Sequence, residues 1–296
     1  MGKVIVRIIG GLGNQLFCYA AARRLALANG VELVIDDVTG FIRDRRYFRQ
    51  YALDHFNIPC RKATHSERLE PLERYRRGLM KLQSRSRRFE ERCYLEQEGN
   101  DFDERLIYKK VNGTLYLEGY WQSEQYFKDV EQDIRNDLII SQPMDEINKD
   151  MAKQITKNNS IALHVRWFDS PERSETSHNV SFDYYQRAIR LIEERILLPH
   201  YFIFSDYPVD ACANLTLPAD RVTVVTNNRG DEKAYADLWL MSKCQHFITA
   251  NSTFSWWAAW LGGSHGKIVI TPRLKVDRGV NTWGFKGLIP DNWLCL

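Results

Sequence analysis

Val4-Ile5-Val6-Arg7-Ile8-Ile9-Gly10-Gly11-Leu12-Gly13-Asn14-Gln15 is the stretch on which the fold turns. Residues 4–9 form a mostly β-branched run that leads straight into glycines, the pattern of a buried strand. Beyond the glycines, Phe17, Ala21, Leu25 and Ala28 recur at helical spacing, and Asn29-Gly30 supplies a C-cap signal. Residues 31–35 are again strand-like and stop at Asp36-Asp37. Strand, glycine turn, helix and strand make a β-α-β unit, the seed of a parallel sheet.

Working outward, residues 61–92 read as helical and strongly basic, 115–118 as a strand and 124–138 as a helix. At Ser141-Gln142-Pro143-Met144-Asp145-Glu146 a turn is followed by a helix start with proline and acids near its first turn. The alternation then restarts. Strands are expected at 161–165, 201–204, 221–225, 247–249 and 267–270. Helices are expected at 182–196, 233–242 and 254–261, and Tyr185, Ala188, Ile189, Ile192 and Ile196 share one face of the first of these. Two successive β/α runs predict two Rossmann-like domains, 1–142 and 143–296, facing each other across a cleft. Ligands of such sheets sit at the carboxyl ends of the strands.

The chain has 296 residues, 44% hydrophobic and 27% charged, as in a soluble globular protein. The six cysteines, Cys18, Cys60, Cys93, Cys212, Cys244 and Cys295, are scattered with no C-x-x-C pair, a pattern of free thiols in a reducing compartment. Residues 1–10 are too short and too soon interrupted for a signal peptide, and no run of about eighteen apolar residues occurs. A cytoplasmic location is therefore expected. A net charge of +3 is too mild to imply nucleic acid. The charge is uneven: residues 61–92 carry eleven Arg/Lys against five Glu. That segment reads either as a solvated charged region or as a surface that rests on an anionic membrane, giving a peripheral location.

Three motifs carry chemistry. Gly10-Gly11-Leu12-Gly13-Asn14-Gln15 lies between strand and helix, where glycines permit a tight turn and close approach of a ligand to backbone N–H groups. It suits a phosphate or sugar, or is a plain turn. A dinucleotide reading would use Asp36 as the ribose-binding acid, but Leu16 stands where a glycine or alanine is needed. His164-Val165-Arg166-Trp167-Phe168-Asp169 ends a predicted strand, with His164, Arg166 and Phe168 on one face and Val165 and Trp167 on the other. A guanidinium there can fork onto a diphosphate and stabilise charge as it develops. Asp169 could orient Arg166 or accept a proton; a buried Arg–Asp pair beside a structural histidine is the plain alternative. In Asn251-Ser252-Thr253-Phe254-Ser255-Trp256-Trp257, hydroxyls can cap an apolar helix and meet a phosphate. Trp256, Trp257 and Trp260 read as core, with one of them open to stacking on a sugar. Ser205-Asp206 closes another strand and faces the same end, where Asp206 serves a nucleotide's base or ribose, or forms a turn before Tyr207-Pro208.

Taken in order, the 10–17 block, the His-x-Arg-x-x-Asp element at 164–169, Phe204-Ser205-Asp206 and the block 250–261 resemble glycosyltransferase family 11, the α-1,2-fucosyltransferases. The resemblance covers nearly the whole chain. It implies a GT-B-type fold, GDP-fucose as donor, inversion at the anomeric carbon and no required metal. It also implies that Arg166 holds the β-phosphate and that 251–255 contact the donor. Asn14, Gly11 and Gly13 would line the cleft from the N-terminal, acceptor-side domain, leaving the C-terminal domain to bind the donor. The usual acceptor is the 2-hydroxyl of a terminal β-galactose in a glycan. His164 and Asp169 are the candidate general bases by position. The chain departs from the family at Trp167 and Phe168, where a second basic residue and a glycine are often found.

Three competing functions are distinguishable. A metal-dependent transferase would use Asp101-Phe102-Asp103, which has the D-x-D form. A non-catalytic glycan- or nucleotide-binding protein could share the fold. A Rossmann oxidoreductase would bind NAD(P). Another nucleotide-sugar donor or another acceptor is a variant of the leading reading.

Overall fold

The computed structural model describes residues 2–167, 179–263, 266–274 and 283–296. The chain divides into two units, Met1–Ile139 with Lys286–Leu288, and Ile140–Phe285 with Ile289–Leu296. The return of Lys286–Leu288 to the first unit is a feature that a two-segment division at 142/143 does not include.

In the first unit, β1 (Lys3–Arg7), α1 (Leu12–Asn29) and β2 (Glu32–Asp36) form the expected β-α-β unit. They are followed by β3 (Arg61–Lys62), α2 (Glu73–Arg85), β4 (Tyr94–Glu96), α3 (Arg105–Tyr108), β5 (Thr114–Glu118) and α4 (Glu131–Asp137). The sheet order is β3-β2-β1-β5-β4 and every pairing is parallel. Helix α1 is buried on nearly all sides, including Phe17, Tyr19, Ala21 and Leu25, and ends at Gly30 in the left-handed conformation. Glycine is needed at position 40 for a different reason. A Cβ there would stand 1.8 Å from the Ile8 carbonyl oxygen, because the loop after β2 crosses directly over the end of β1.

Two expectations in this unit change. Of the basic segment 61–92, only residues 73–85 are α-helical, and it begins in strand β3. Its charges are largely paired, so it is not a continuous cationic helix. The segment 124–138 is two 3-10 turns, Glu124–Tyr126 and Lys128–Val130, leading into the short α4. Ser123 caps the first turn through Gln125 N–H, which diverts the chain before a regular helix starts.

The second unit contains α5 (Glu146–Lys157), β6 (Ser160–Val165), α6 (Phe182–Glu193), β7 (His200–Ser205), α7 (Pro208–Asn214) and β8 (Val222–Val225). It continues with α8 (Ala234–Ser242), β9 (His246–Ile248), α9 (Thr253–Leu261), β10 (Val269–Thr271) and β11 (Leu294–Cys295). Its parallel sheet runs β11-β10-β9-β6-β7-β8. Chain order therefore reverses between β6 and β9, the doubly wound arrangement with its switch point beside the central strand. All six residues of β6 are buried, as a strand covered on both faces requires. Tyr185, Ala188, Ile189 and Ile192 of α6 pack against it with Val165 and Trp167.

A stability prediction follows from the loop crossing. Gly40→Ala forces the loop off β1 and should cost about 3 kcal/mol, the upper end of overpacking penalties. The urea midpoint of the first unit's unfolding would fall accordingly; an unchanged midpoint would contradict the close approach.

Candidate functional site

The register of the second sheet brings its three polar segments together. Val165 pairs with Ser205, so one step further Arg166 stands beside Asp206. Leu163 pairs with Ile248, so the segment after β9 runs beside residues 164–166. Arg166 Nη1 lies 2.9 Å from Asp206 Oδ2, and the Trp167 N–H donates to Asp206 Oδ1 at 3.3 Å. Burial pushes the Asp206 carboxyl above the usual carboxylate range, against the opposing pull of Arg166 and that N–H. Ser205, rather than Asp206, forms the turn, accepting the Tyr207 N–H at 3.1 Å. Asp206 thus orients the guanidinium at the end of β6.

Strand alternation sorts the rest of the motif. Val165 and Trp167 enter the core beneath α6, where Trp167 meets Phe182 and Tyr207, each at 5.9 Å between ring centroids. The indole that stands where the family often has a second basic residue is therefore a core side chain, only 6% exposed. Phe168 and Asp169 lie outside the described residues. His164 points to the other face, its ring 5.7 Å from that of Phe254. It is buried, and burial followed by the nearby Arg166 charge lowers its pKa to about 3. Its Nδ1 has no hydrogen-bond partner among the described residues. The imidazole is neutral at ordinary pH.

Asn251 is buried at the switch point, and Ser252 caps α9 by accepting the Phe254 N–H at 3.3 Å. Thr253 and Phe254 are partly exposed, while Ser255 is buried and donates to the Ser252 carbonyl at 3.3 Å. Tyr184 of α6 pins the approach to this segment, donating to the carbonyls of Thr249 at 2.8 Å and Ile270 at 3.0 Å. Trp256, Trp257 and Trp260 are all core and pack on one another with Trp293, so none of them faces a sugar. The second unit thus presents a guanidinium, a neutral imidazole and a helix N-terminus at one switch point, a combination suited to a phosphorylated ligand.

The first unit has its own polar end. Gly10 has φ of 77°, and a Cβ there would meet Asn14 Nδ2 at 2.9 Å. Gly11 is the N-cap of α1 and receives no side-chain cap. Gly13 is buried in the first turn. Asn14 Oδ1 accepts from Gln122 Nε2 at 2.8 Å, and Asn14 also engages Tyr120. Sequence reasoning passed over three residues here. Gln15 donates to the Gly10 and Gln50 carbonyls at 2.9 and 2.8 Å and accepts the Ala52 N–H at 2.9 Å, fastening residues 50–52 to the turn. Gln122 follows β5, and only its position after a strand end could have marked it. Arg49 brings its guanidinium within 3.7 Å of where a Gly11 Cβ would be.

The acids of the competing readings are otherwise engaged. Asp36 is buried and accepts from Thr39 and Arg77, so its carboxylate is already engaged within the protein. Asp103 is gripped by Arg105 at 2.7 Å and Asp101 accepts the Lys286 N–H at 2.9 Å.

Two Rossmann-like parallel-sheet units, the second with an arginine and a helix N-terminus at its switch point, define the GT-B type of glycosyltransferase. The model of Glycosyl transferase family 11 matches residues 74–282. The O-antigen biosynthesis glycosyltransferase WbnK of Escherichia coli is 33% identical, with 97% of this chain and 98% of the relative covered. An α-1,2-colitosyltransferase of Escherichia coli is 29% identical, covering 92% of each. This chain belongs to glycosyltransferase family 11. Among solved structures, the α-1,6-fucosyltransferase NodZ, known from Bradyrhizobium, soaked with GDP-fucose, shares the fold with a TM-score of 0.52 at 17% identity, covering 88% of this chain and 92% of that one. A FUT1 mutant of Arabidopsis thaliana in complex with GDP gives 0.53 at 14% identity, covering 90% and 70%.

The buried His164 makes a pH prediction. Its folded pKa, about 3, is below the unfolded value of 6.5, so the unfolded state binds the proton first as pH falls. Its contribution is fully present above pH 6.5 and is lost progressively toward pH 3, by up to about 1.4 kcal/mol per pH unit. Urea denaturation between pH 7 and pH 5 should show this slope, and His164→Gln should flatten it. An equal slope in both proteins would contradict the burial of a neutral imidazole.

Proposed function

We propose that this glycosyltransferase transfers L-fucose from GDP-fucose to the 2-hydroxyl of a β-galactoside in a glycan, with inversion and without a required metal. The observation that carries the reading is Arg166, fixed by Asp206 beside the N-terminus of α9 at the switch point of the second sheet. A GDP leaving group needs cationic and N–H stabilisation at its β-phosphate, and this arrangement offers both. The solved structures of similar fold that hold GDP-fucose or GDP support the choice of donor.

The acceptor hydroxyl oxygen bonds to the anomeric carbon while the bond from that carbon to the β-phosphate oxygen breaks. Arg166 meets the charge that develops on the departing diphosphate. Asn251, Ser252, Thr253 and Phe254 line the donor side, with buried Ser255 bracing their turn from beneath and Asp206 and Ser205 shaping the end of β7. His164, so weakly basic, acts as a neutral neighbour of the donor rather than as the proton acceptor. The hydroxyl proton is assigned to Asp169. Asn14, Gly11 and Gly13 contribute from the first unit on the acceptor side.

A second reading changes the sugar alone. The similarity to an α-1,2-colitosyltransferase favours a donor with a deoxysugar other than fucose. A transfer assay with both GDP-sugars, a panel of β-galactosides and EDTA present, read by mass spectrometry and linkage analysis, separates the two. The expected product carries fucose on the galactose 2-hydroxyl, and activity survives EDTA. Product only from GDP-colitose would transfer the assignment to the second reading; product from neither, without GDP binding, would end both.

For Arg166→Ala, kcat should fall on the order of 10²–10³-fold, the loss typical of a group aimed at developing charge. Near-normal turnover in that variant would refute the role of Arg166.

A further inference from the structure

Helix α2 has its faces reversed. Arg77 and Ser84 are its buried residues, and Arg77 reaches Thr39 Oγ1 at 2.8 Å and Asp36 at 3.3 Å. Leu72, Tyr75, Leu79 and Leu82 instead face outward, at 66%, 66%, 42% and 69% exposure. At about 100° per residue Tyr75, Leu79 and Leu82 fall within an arc of about 60°, opposite Arg77 and Ser84, and Leu72, the N-cap residue just before the helix, extends their exposed apolar surface. They line an open groove of about 590 Å³ together with Arg43, Glu73 and Arg74. Single exposed apolar residues are ordinary, but a contiguous stripe of three helical residues and the N-cap leucine marks an interaction face.

The charges around the stripe specify what covers it. Much of the basic segment is neutralised within the protein: Arg61 pairs with Glu32 and Glu67, Arg68 with Glu70, Lys81 with Glu96 and Glu118, and Arg92 with Glu98. Arg74 and Arg76 flank the stripe on either side, both exposed, and form no ion pair among the described residues. The neighbouring loop, tied to α2 by Arg43–Glu73 at 3.7 Å, adds exposed Ile42 and Phe48 and the exposed Arg45 and Arg46. An apolar stripe rimmed by unpaired cations is the pattern of a helix lying in a membrane interface. No helix of the described residues is long and apolar enough to cross a membrane.

We propose that this face docks on an anionic lipid bilayer. Leu72, Tyr75, Leu79 and Leu82 enter the boundary between headgroups and acyl chains, and Arg74 and Arg76 meet lipid phosphates. A bilayer supplies the apolar layer and the negative charge at once. A second copy of this chain fits less well, because a twofold contact through the stripe brings each copy's arginines against those of the other.

The test is co-sedimentation of the full chain with vesicles of phosphatidylcholine alone or with about one-third phosphatidylglycerol. Binding to the anionic vesicles should be at least tenfold stronger and should weaken as salt is raised. The double variant Leu79→Ser, Leu82→Ser alters exposed side chains only, so its circular dichroism and melting should match the parent while vesicle binding falls at least tenfold. Equal binding to both vesicles, or unchanged binding by the double variant, overturns the proposal. So does a concentration-dependent dimer in sedimentation velocity that the double variant abolishes while vesicles stay unbound; the stripe is then a contact between copies.

Discussion

Arg166 stands at the carboxyl end of a strand that is buried along its whole length, and the candidate site depends on holding its charge there. Asp206 does so from the adjacent strand at 2.9 Å. The pair exists because β6 and β7 share a parallel register that sets residue 166 beside 206. The reversal of chain order between β6 and β9 then places the cap of α9 on the other side. Charge, register and topology together produce one anion-seeking point. A guanidinium one residue earlier, in place of Val165, would point into the core beneath α6 with Trp167.

The same economy governs the neighbouring groups. His164 gains no partner for Nδ1 among the described residues and loses its basicity to burial and to Arg166. The cost of an unpaired buried nitrogen is tolerable in a fold only if something else offsets it, and a polar ligand at the switch point is one such compensation. In the first unit the polar end is organised differently. Arg7, Thr39, Asp36, Arg77, Tyr94 and Glu118 form a closed network above the sheet, with Arg7 to Glu118 at 2.7 Å. Outside that network, the glycine turn has polar contacts of its own, with Asn14 meeting Tyr120 and Gln122.

Much of this was legible in the residues. The β-α-β opening, the C-cap at Gly30 and the strands at β6, β7 and β9 follow from β-branched runs and helical spacing, which are local signals. Alternation along 164–167 correctly separated His164 and Arg166 from Val165 and Trp167. The shorter elements, β4, α3, α7 and β11, escaped because two to seven residues carry too little periodicity to stand out from loops. Residues 124–138 read as a single helix, but Ser123 redirects the first turn, and no pattern of apolar residues encodes that. The basic character of 61–92 was plain in composition. Its pairing was not, because partners such as Glu32, Glu96 and Glu118 are brought in by the sheet from distant positions. The contacts of Gln15 and Arg49 were invisible because a loop without periodicity brings residues 49–52 to the glycine turn.

The most direct measurement is a crystal structure of this chain with GDP, read for the position of the β-phosphate. The β-phosphate oxygens should lie within hydrogen-bonding distance of the Arg166 guanidinium and of the first-turn N–H groups of α9, with Asp206 still holding Arg166. A diphosphate seated instead at the glycine turn of residues 10–13, with Arg166 making no contact, would contradict it.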